Sequence, residues 1–377
     1  VCSEYRYSRW PTRSRAPLVS GDNSPAKIAI VCSTSAIGSM ARAVCLFLVS
    51  KELAETRIFS LDDVPLWPGA HEVREFVTGV KNEKDLHTAL DSYARGQHIT
   101  LWHVKPFGTT LRWSDSYLKT RTNSATLLVD VDDEDQGMNR LYQTTRIGRN
   151  PLREGSPERV KRSLSSLKGR VKMSVNSHAL DTYLGLSASL ILPQVRKSHP
   201  RLESPSDLET PKFGFFGTLR QHKGLSFFKE FIPSSGRDYE FHFFEDRTTT
   251  REFRGFENVT LHKAGAEDLI SFYQLIDVVL LPQWSTGSGF RYQTPAKLSD
   301  ALQFRRVIIA TATPPILEWA ENAIEPVSVW NDEDVVWKAL ESARRRHADH
   351  ATRIDAAFSR ITVEAQLPNV RSFLGLD

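Results

Sequence analysis

The chain has 377 residues, of which 40% are hydrophobic and 25% charged, proportions that exclude a disordered chain or a small disulfide scaffold and, at roughly 150 residues per domain, suggest two domains. Its 49 basic and 45 acidic residues leave a net charge of only +4, so placement of charge says more about partners than the sum does. The longest uninterrupted apolar run, Ala43 to Val49, is far short of the roughly 20 residues that a membrane-spanning helix needs, and no such span is expected.

Residues 1–26 are polar, arginine-bearing and aperiodic, without the continuous apolar core of a secretory signal, and read as an extension or linker. Cys2, Cys32 and Cys45 form no metal-type spacing, and the last two sit in apolar segments as buried thiols suited to a reducing, cytoplasmic compartment. Lys27 to Cys32 has the composition of a buried strand, followed by a small-residue loop from Ser33 to Ser39 and an apolar helix to Leu53. Further strands are expected at Arg57 to Leu61, Ile99 to Val104 and Ala125 to Val131, separated by segments of helical length, which is the alternation of parallel βα units. From Arg140 to Lys172 ten basic side chains face only Glu154 and Glu158. Two readings stand side by side: a patch for an anionic membrane surface or acceptor, and a solvated helix and loop. Nucleic acid fits poorly, because no aromatic-interleaved motif or zinc-finger spacing accompanies the charge.

Ser198 to Pro211 carries three prolines and few large apolar residues, the composition of a linker. It divides an amino-terminal domain (27–205) from a carboxy-terminal one (206–361), with 362–377 as a tail able to pack back on the first. The second half restarts with a strand at Lys212 to Gly217 and a helix presenting Leu225, Phe228, Phe231 and Ile232 on one face. A strand at Tyr239 to Phe244, a helix over Ala266 to Leu275 and a strand at Asp277 to Pro282 follow. The expected fold is therefore α/β, two Rossmann-like doubly wound domains facing a central cleft.

Chemistry concentrates at Thr294-Pro-Ala-Lys-Leu-Ser-Asp300. Thr294 is a favoured N-cap and Pro295 a favoured first helical residue, and a helix start leaves free N–H groups and about half a positive charge for an anion. Lys297 in that first turn opposes the helix dipole, which a bound phosphate would relieve; the alternative is a surface pair with Asp300. The approach Ser285-Thr-Gly-Ser-Gly-Phe290, with Gly289, lets backbone come close to a ligand. Gly217-Thr-Leu-Arg-Gln-His-Lys-Gly224 lies just after the first strand of the same domain, at the edge where open α/β sheets bind ligands. There Arg220 and Lys223 offer a fork and a point charge for a diphosphate, or else form a solvated turn.

The segments Phe213 to Gly224, Glu267 to Pro282, Tyr292 to Asp300 and Arg306 to Thr311, in that order and spacing, resemble the carboxy-terminal half of family 4 glycosyltransferases with the GT-B fold. Val175-Asn-Ser-His-Ala-Leu180 and Ile191-Leu-Pro-Gln-Val-Arg196 resemble the end of that family's first domain. The resemblance implies a retaining enzyme that takes a sugar from a nucleotide diphosphosugar without a metal or other cofactor. It implies that Lys223 contacts the diphosphate and that Asp300 holds the ribose, with Gly217, Thr218, Gly289, Thr294, Pro295, Ala296 and Lys297 around the donor. Thr218 stands where the family has an arginine, a place Arg220 can fill, and Tyr292 stands where its first glutamate contacts the sugar.

In the amino-terminal half, Leu127 to Asp135 ends a strand in a burst of carboxylates. Asp130-Val-Asp132 has the form by which GT-A glycosyltransferases hold a divalent cation. The cationic ligands in the other half remove that need, so Asp130 or Asp132 is expected as an acceptor-side carboxylate, or as part of a solvated acidic loop. His103 follows a strand and is a candidate proton acceptor, against the alternative of a structural histidine. No GxSxG, P-loop, GxGxxG or HExxH motif occurs, which disfavours hydrolase, kinase, dehydrogenase and zinc-protease chemistry. The expected function is transfer of a sugar to a saccharide or lipid-linked acceptor, with a non-catalytic sugar-nucleotide or membrane-surface binding protein, or an epimerase, as alternatives.

Overall fold

A computed structural model describes residues 26–35, 37–121, 124–135, 156–264, 269–284, 288–330 and 334–376. The amino-terminal extension, Cys2, residues 136–155 of the basic segment, residues 285–287 of the glycine-rich loop and the first residues of the expected helix at 266–275 lie outside them.

Short apolar runs become strands that are covered on both faces. In the first sheet these are β1 (Lys27–Cys32), β2 (Glu55–Leu61), β3 (Val77–Val80), β4 (Ile99–Val104), β5 (Ala125–Val131), β6 (Lys172–Val175) and β7 (Leu190–Ile191). In the second they are β8 (Phe213–Phe215), β9 (Phe241–Phe244), β10 (Val259–His262), β11 (Val278–Leu281), β12 (Val307–Thr311) and β13 (Glu325–Val327). All neighbours pair in parallel. Every residue of β1 is buried, as expected of a central parallel strand. The orders are β3-β2-β1-β4-β5-β6-β7 and β10-β9-β8-β11-β12-β13. In each sheet the direction of winding reverses beside the first strand, between β1 and β4 and between β8 and β11, and a crevice opens there at the carboxyl ends.

The helices of the first half are α1 (Ile37–Ser50), α2 (Glu83–Ala94), α3 (Thr109–Thr120), α4 (Pro157–Leu167) and α5 (His178–Leu184). Those of the second are α6 (Leu225–Ser234), α7 (Arg247–Phe253), α8 (Leu269–Gln274), α9 (Ser288–Arg291), α10 (Ala296–Gln303), α11 (Pro314–Ala320), α12 (Asp334–Arg345) and α13 (His350–Phe358). The last, α14 (Val363–Leu374), returns to lie against α1, with Phe373 against Trp102 of β4 at 5.4 Å between ring centroids. Residues 198–211 contain neither strand nor helix. The chain crosses between halves twice, and the crossings meet at Arg196 and Thr362. There the Arg196 N–H donates to the Ile361 carbonyl and the Val363 N–H to the Arg196 carbonyl, both at 3.0 Å.

A second tie joins the halves through α11. The Glu318 carboxylate accepts the His178 and Ala179 N–H groups at 2.8 and 3.0 Å, capping the start of α5. Cys32 and Cys45 are buried free thiols. Among the described residues no helix is long and apolar enough to cross a membrane.

Candidate functional site

The turn after β8 is shaped by two close approaches. Gly224 has φ +84°, and a Cβ there would lie 2.1 Å from Cγ of Pro282, so the loops following β8 and β11 meet only because this residue has no side chain. At Gly217 a Cβ would lie 1.9 Å from Cε of Lys297, which crosses the turn from the first turn of α10. Thr218, half-buried, continues the turn to Arg220, Lys223 and the 3-10 turn at Gln221–Lys223.

Three cations converge there. Lys223 is brought down to about 7 by burial first, then by Lys297 and Arg220, with Asp133 opposing. Lys297 is also lowered, by burial above all and by Arg196 and Arg220, against the pull of Asp300. Cations that depress one another in a crevice are short of negative charge, and a diphosphate supplies it. A Gly217→Ala substitution should push Lys297 off the turn and weaken diphosphate binding about tenfold or more, the loss of one charge-assisted hydrogen bond. Titration calorimetry reads this directly, and an unchanged affinity would contradict the placement of Lys297.

Several expectations shift at the start of α10. Pro295, with φ −70° and ψ 129°, is the extended N-cap, so the helix begins at Ala296 and Thr294 does not cap it. Proline locks φ, but its ψ here is extended, which moves the start by one residue. Thr294 is buried, and its Oγ1 has no hydrogen-bond partner among the described residues. Lys297 and Asp300 are both buried, so the surface-pair alternative does not hold. Asp300 instead receives Nε of Arg196 at 2.6 Å, while Arg196 Nη2 donates to the Ala296 carbonyl at 3.1 Å. Arg196 thus arrives from the interdomain crossing onto the residue assigned to the ribose, a contact that only the fold creates.

Tyr292 stacks on Tyr183 of α5, centroids 4.1 Å apart and planes at 18°, so it closes against the other half rather than standing open to a sugar. Gly289 is buried in α9, and Phe290 beside it stacks on His222 at 4.4 Å. Gln283 Nε2 donates to the Phe290 and Gln293 carbonyls at 2.5 and 3.1 Å, fixing this loop, and Gln293 Nε2 reaches across the cleft to Asp133 Oδ1 at 3.2 Å.

The acceptor-side assignments need correction. Asp130 is fully buried and bidentate to Arg42 of α1 at 2.9 Å on each oxygen, with Ser174 Oγ donating at 2.7 Å, so it is a core ion pair and faces no cleft. Asp132 pairs with Lys105 at 2.6 Å. Asp130 and Asp132 thus meet separate cationic partners, Arg42 and Lys105. Among the described residues no group of three or more His, Cys, Asp or Glu side chains is arranged to hold a metal ion.

His103 is fully buried between the Lys105 carbonyl at 2.9 Å and Thr110 Oγ1 at 3.0 Å, and burial brings it down to about 4. A neutral ring donating from Nδ1 and accepting at Nε2 satisfies both contacts and leaves nothing for a substrate. Its role is to hold the turn in which Lys105 adopts φ +76°. Lys105 then gathers Asp132, Asp133 and Asp135 at 2.6, 2.7 and 3.2 Å. Burial holds Asp135 up at about 8 and Asp132 at about 6 against the pull of Lys105. Asp133 stays below the ordinary carboxylate value despite its burial, through Lys105 and Gln293. The carboxylate that meets the cationic crevice is therefore Asp133, one residue past the expected pair.

No protein-family model matches the chain, and no curated protein matches it. Solved structures do. Anabaena HepE, solved with UDP and glucose, superposes with a TM-score of 0.69 at 12% identity, covering 93% of this chain and 100% of that one. The lipopolysaccharide outer core galactosyltransferase WaaB gives 0.58 at 11% identity, covering 93% and 99%. A glycosyltransferase from Rickettsia africae gives 0.59 at 12% identity, covering 94% and 100%. Two parallel-sheet α/β domains of seven and six strands that match these structures establish the GT-B architecture.

Proposed function

We propose that this chain is a glycosyltransferase that moves a sugar from a nucleoside diphosphate sugar to a saccharide or lipid-linked saccharide acceptor, with retention and without a metal ion. The observation that carries the reading is the convergence of Arg220, Lys223 and Lys297 at the carboxyl edge of the second sheet, beside its winding reversal. Departure of a nucleoside diphosphate leaves charge on the phosphates. Fixed cations in a partly dry crevice stabilise that charge more in the transition state than in the bound donor. Across the cleft, Asp133 is the carboxylate positioned to accept a hydrogen bond from an acceptor hydroxyl, while Gln293 orients it. Uridine diphosphate is the first probe to use, because HepE has been solved with UDP-glucose as well as with UDP and glucose.

The discriminating experiment is a panel of nucleotide sugars, each incubated with and without saccharide acceptors, with products resolved by mass. A sugar added to an acceptor supports the reading. Binding of donor without any product favours a non-catalytic binding protein, a second reading supported by Tyr292, which is stacked on Tyr183 where the resemblance has a sugar-contacting glutamate. A donor altered in the absence of acceptor favours an epimerase.

For the acceptor's location we propose a peripheral position on an anionic membrane surface. Lys161 and Arg162 on α4 and Lys168 and Arg170 after it are exposed, each worth on the order of 1 kcal/mol near an anionic leaflet. The remainder of that basic segment lies outside the described residues. Co-sedimentation with anionic vesicles at low salt, lost at high salt and with neutral vesicles, is the expected result. Equal binding to both vesicle types would contradict it.

A further inference from the structure

A groove of about 790 Å³ runs beside the edge strand β7, between α14 and the end of α11, and none of Arg220, Lys223, Lys297 or Asp133 lines it. Both halves contribute walls: Lys172 and His178 from the first, Trp319 and Arg360 from the second, with Gln366 and Phe373 on the returning helix. Every titratable side chain in the lining is basic. The Glu318 carboxylate, at the start of α5, is engaged by the backbone N–H groups of His178 and Ala179.

The cations hold unused capacity. Lys172 Nζ donates to the Phe373 carbonyl at 3.1 Å, and an ammonium has three donors. Arg360 donates to the Glu318 and Trp319 carbonyls. Among the described residues neither Lys172 nor Arg360 has a carboxylate partner. Gln366 gives an independent sign. It is 7% exposed, its Nε2 donates to the Arg360 carbonyl at 2.7 Å, and its Oε1 has no partner among the described residues. A buried acceptor left unmade is costly, and a ligand hydroxyl satisfies it once the Gln366 amide turns toward the groove, because Oε1 is closed off as it stands. Trp319, half-buried, adds ring surface suited to the C–H face of a pyranose.

We propose that this groove is a second ligand site, separate from the donor crevice, for an anionic saccharide: a carbohydrate carrying a phosphate ester or a carboxylate. Hydroxyls answer Gln366, the anionic group answers Lys172 and Arg360, and the volume falls in the range of small-molecule sites, roughly 300 to 1,000 Å³. The occupant touches both halves close to the crossing at Arg196 and Thr362, so its binding is coupled to their relative arrangement. None of this depends on the proposed transferase activity.

Calorimetric titration of the full chain with glucose 6-phosphate, glucuronate and glucose tests the site and separates phosphate from carboxylate. At least one anionic sugar should bind with single-site stoichiometry, about tenfold or more tighter than glucose, and more weakly at high salt. Lys172→Glu and Asn369→Trp, both at exposed positions, should each weaken that binding at least about tenfold while the thermal midpoint holds. Lys223→Met should leave it intact. Absence of binding by both anionic sugars, equal binding of glucose, or binding lost in Lys223→Met and kept in both groove variants would overturn the proposal.

Discussion

Replacing Lys223 with Met is expected to lower turnover by about two orders of magnitude, the usual cost of removing one donor aimed at charge that develops in the transition state. The loss should appear in kcat and in diphosphate affinity together, since the Lys223 charge meets the ground-state diphosphate as well as the leaving one. Misfolding is not the expected cause. Burial, Lys297 and Arg220 bring Lys223 from its ordinary 10.5 down to about 7, so between those values the unfolded chain holds more protons than the folded one. Stability of the ligand-free protein from this site therefore rises with pH over that window, and below it the buried charge is a burden. The Met variant removes the burden, and its thermal midpoint at pH 6.5 should equal or exceed that of the wild type. Steady-state kinetics together with thermal unfolding check both halves of the prediction, and an unchanged turnover would contradict the catalytic assignment.

Arg42→Ala should cost about 3 to 5 kcal/mol of stability, because it leaves Asp130 charged and unpaired in the core. Both side chains are essentially fully buried, and the arginine also donates to the Leu192 and Pro193 carbonyls at 2.8 Å each, so both carbonyls lose a donor while Asp130 keeps only Ser174 Oγ. The double replacement Arg42→Met with Asp130→Leu should recover much of the loss, since an apolar pair of similar volume carries no desolvation penalty. Urea unfolding followed by near-ultraviolet circular dichroism measures the series. A single variant within about 1 kcal/mol of wild type would contradict the ion pair's role, that being below the cost of breaking a buried pair.

The elements of the second half were legible because their signals are local. Arg220 and Lys223 follow a strand within one turn, and Pro295 stands at a helix start, whereas the crossing of Lys297 over Gly217 joins distant segments and required the fold. What required the fold was which carboxylate faces which half. Asp130 and Arg42 are 88 residues apart, and nothing near Asp130 in the chain announces that α1 delivers a guanidinium to it. Strand parity gave no help either, since Trp102, His103 and Val104 are all buried in a sheet covered on both faces, and alternation vanishes there. Asp133 lies just beyond the end of β5 and acquires its role from Lys105 and Gln293, each brought from another loop. Arg196 was visible only as part of a domain-end segment; its contact with Asp300 arises because the chain crosses between halves at that point.

If Arg220, Lys223 and Lys297 hold the diphosphate of a sugar nucleotide, as proposed, the wild-type chain titrated with uridine diphosphate across pH 6.5 to 9 should report it through Lys223. A bound diphosphate restores the Lys223 proton, so binding should take up a proton above pH ~7 and the affinity should fall by up to about tenfold for each further pH unit. Affinity that is independent of pH over this range, or no binding at pH 6.5, would contradict the account.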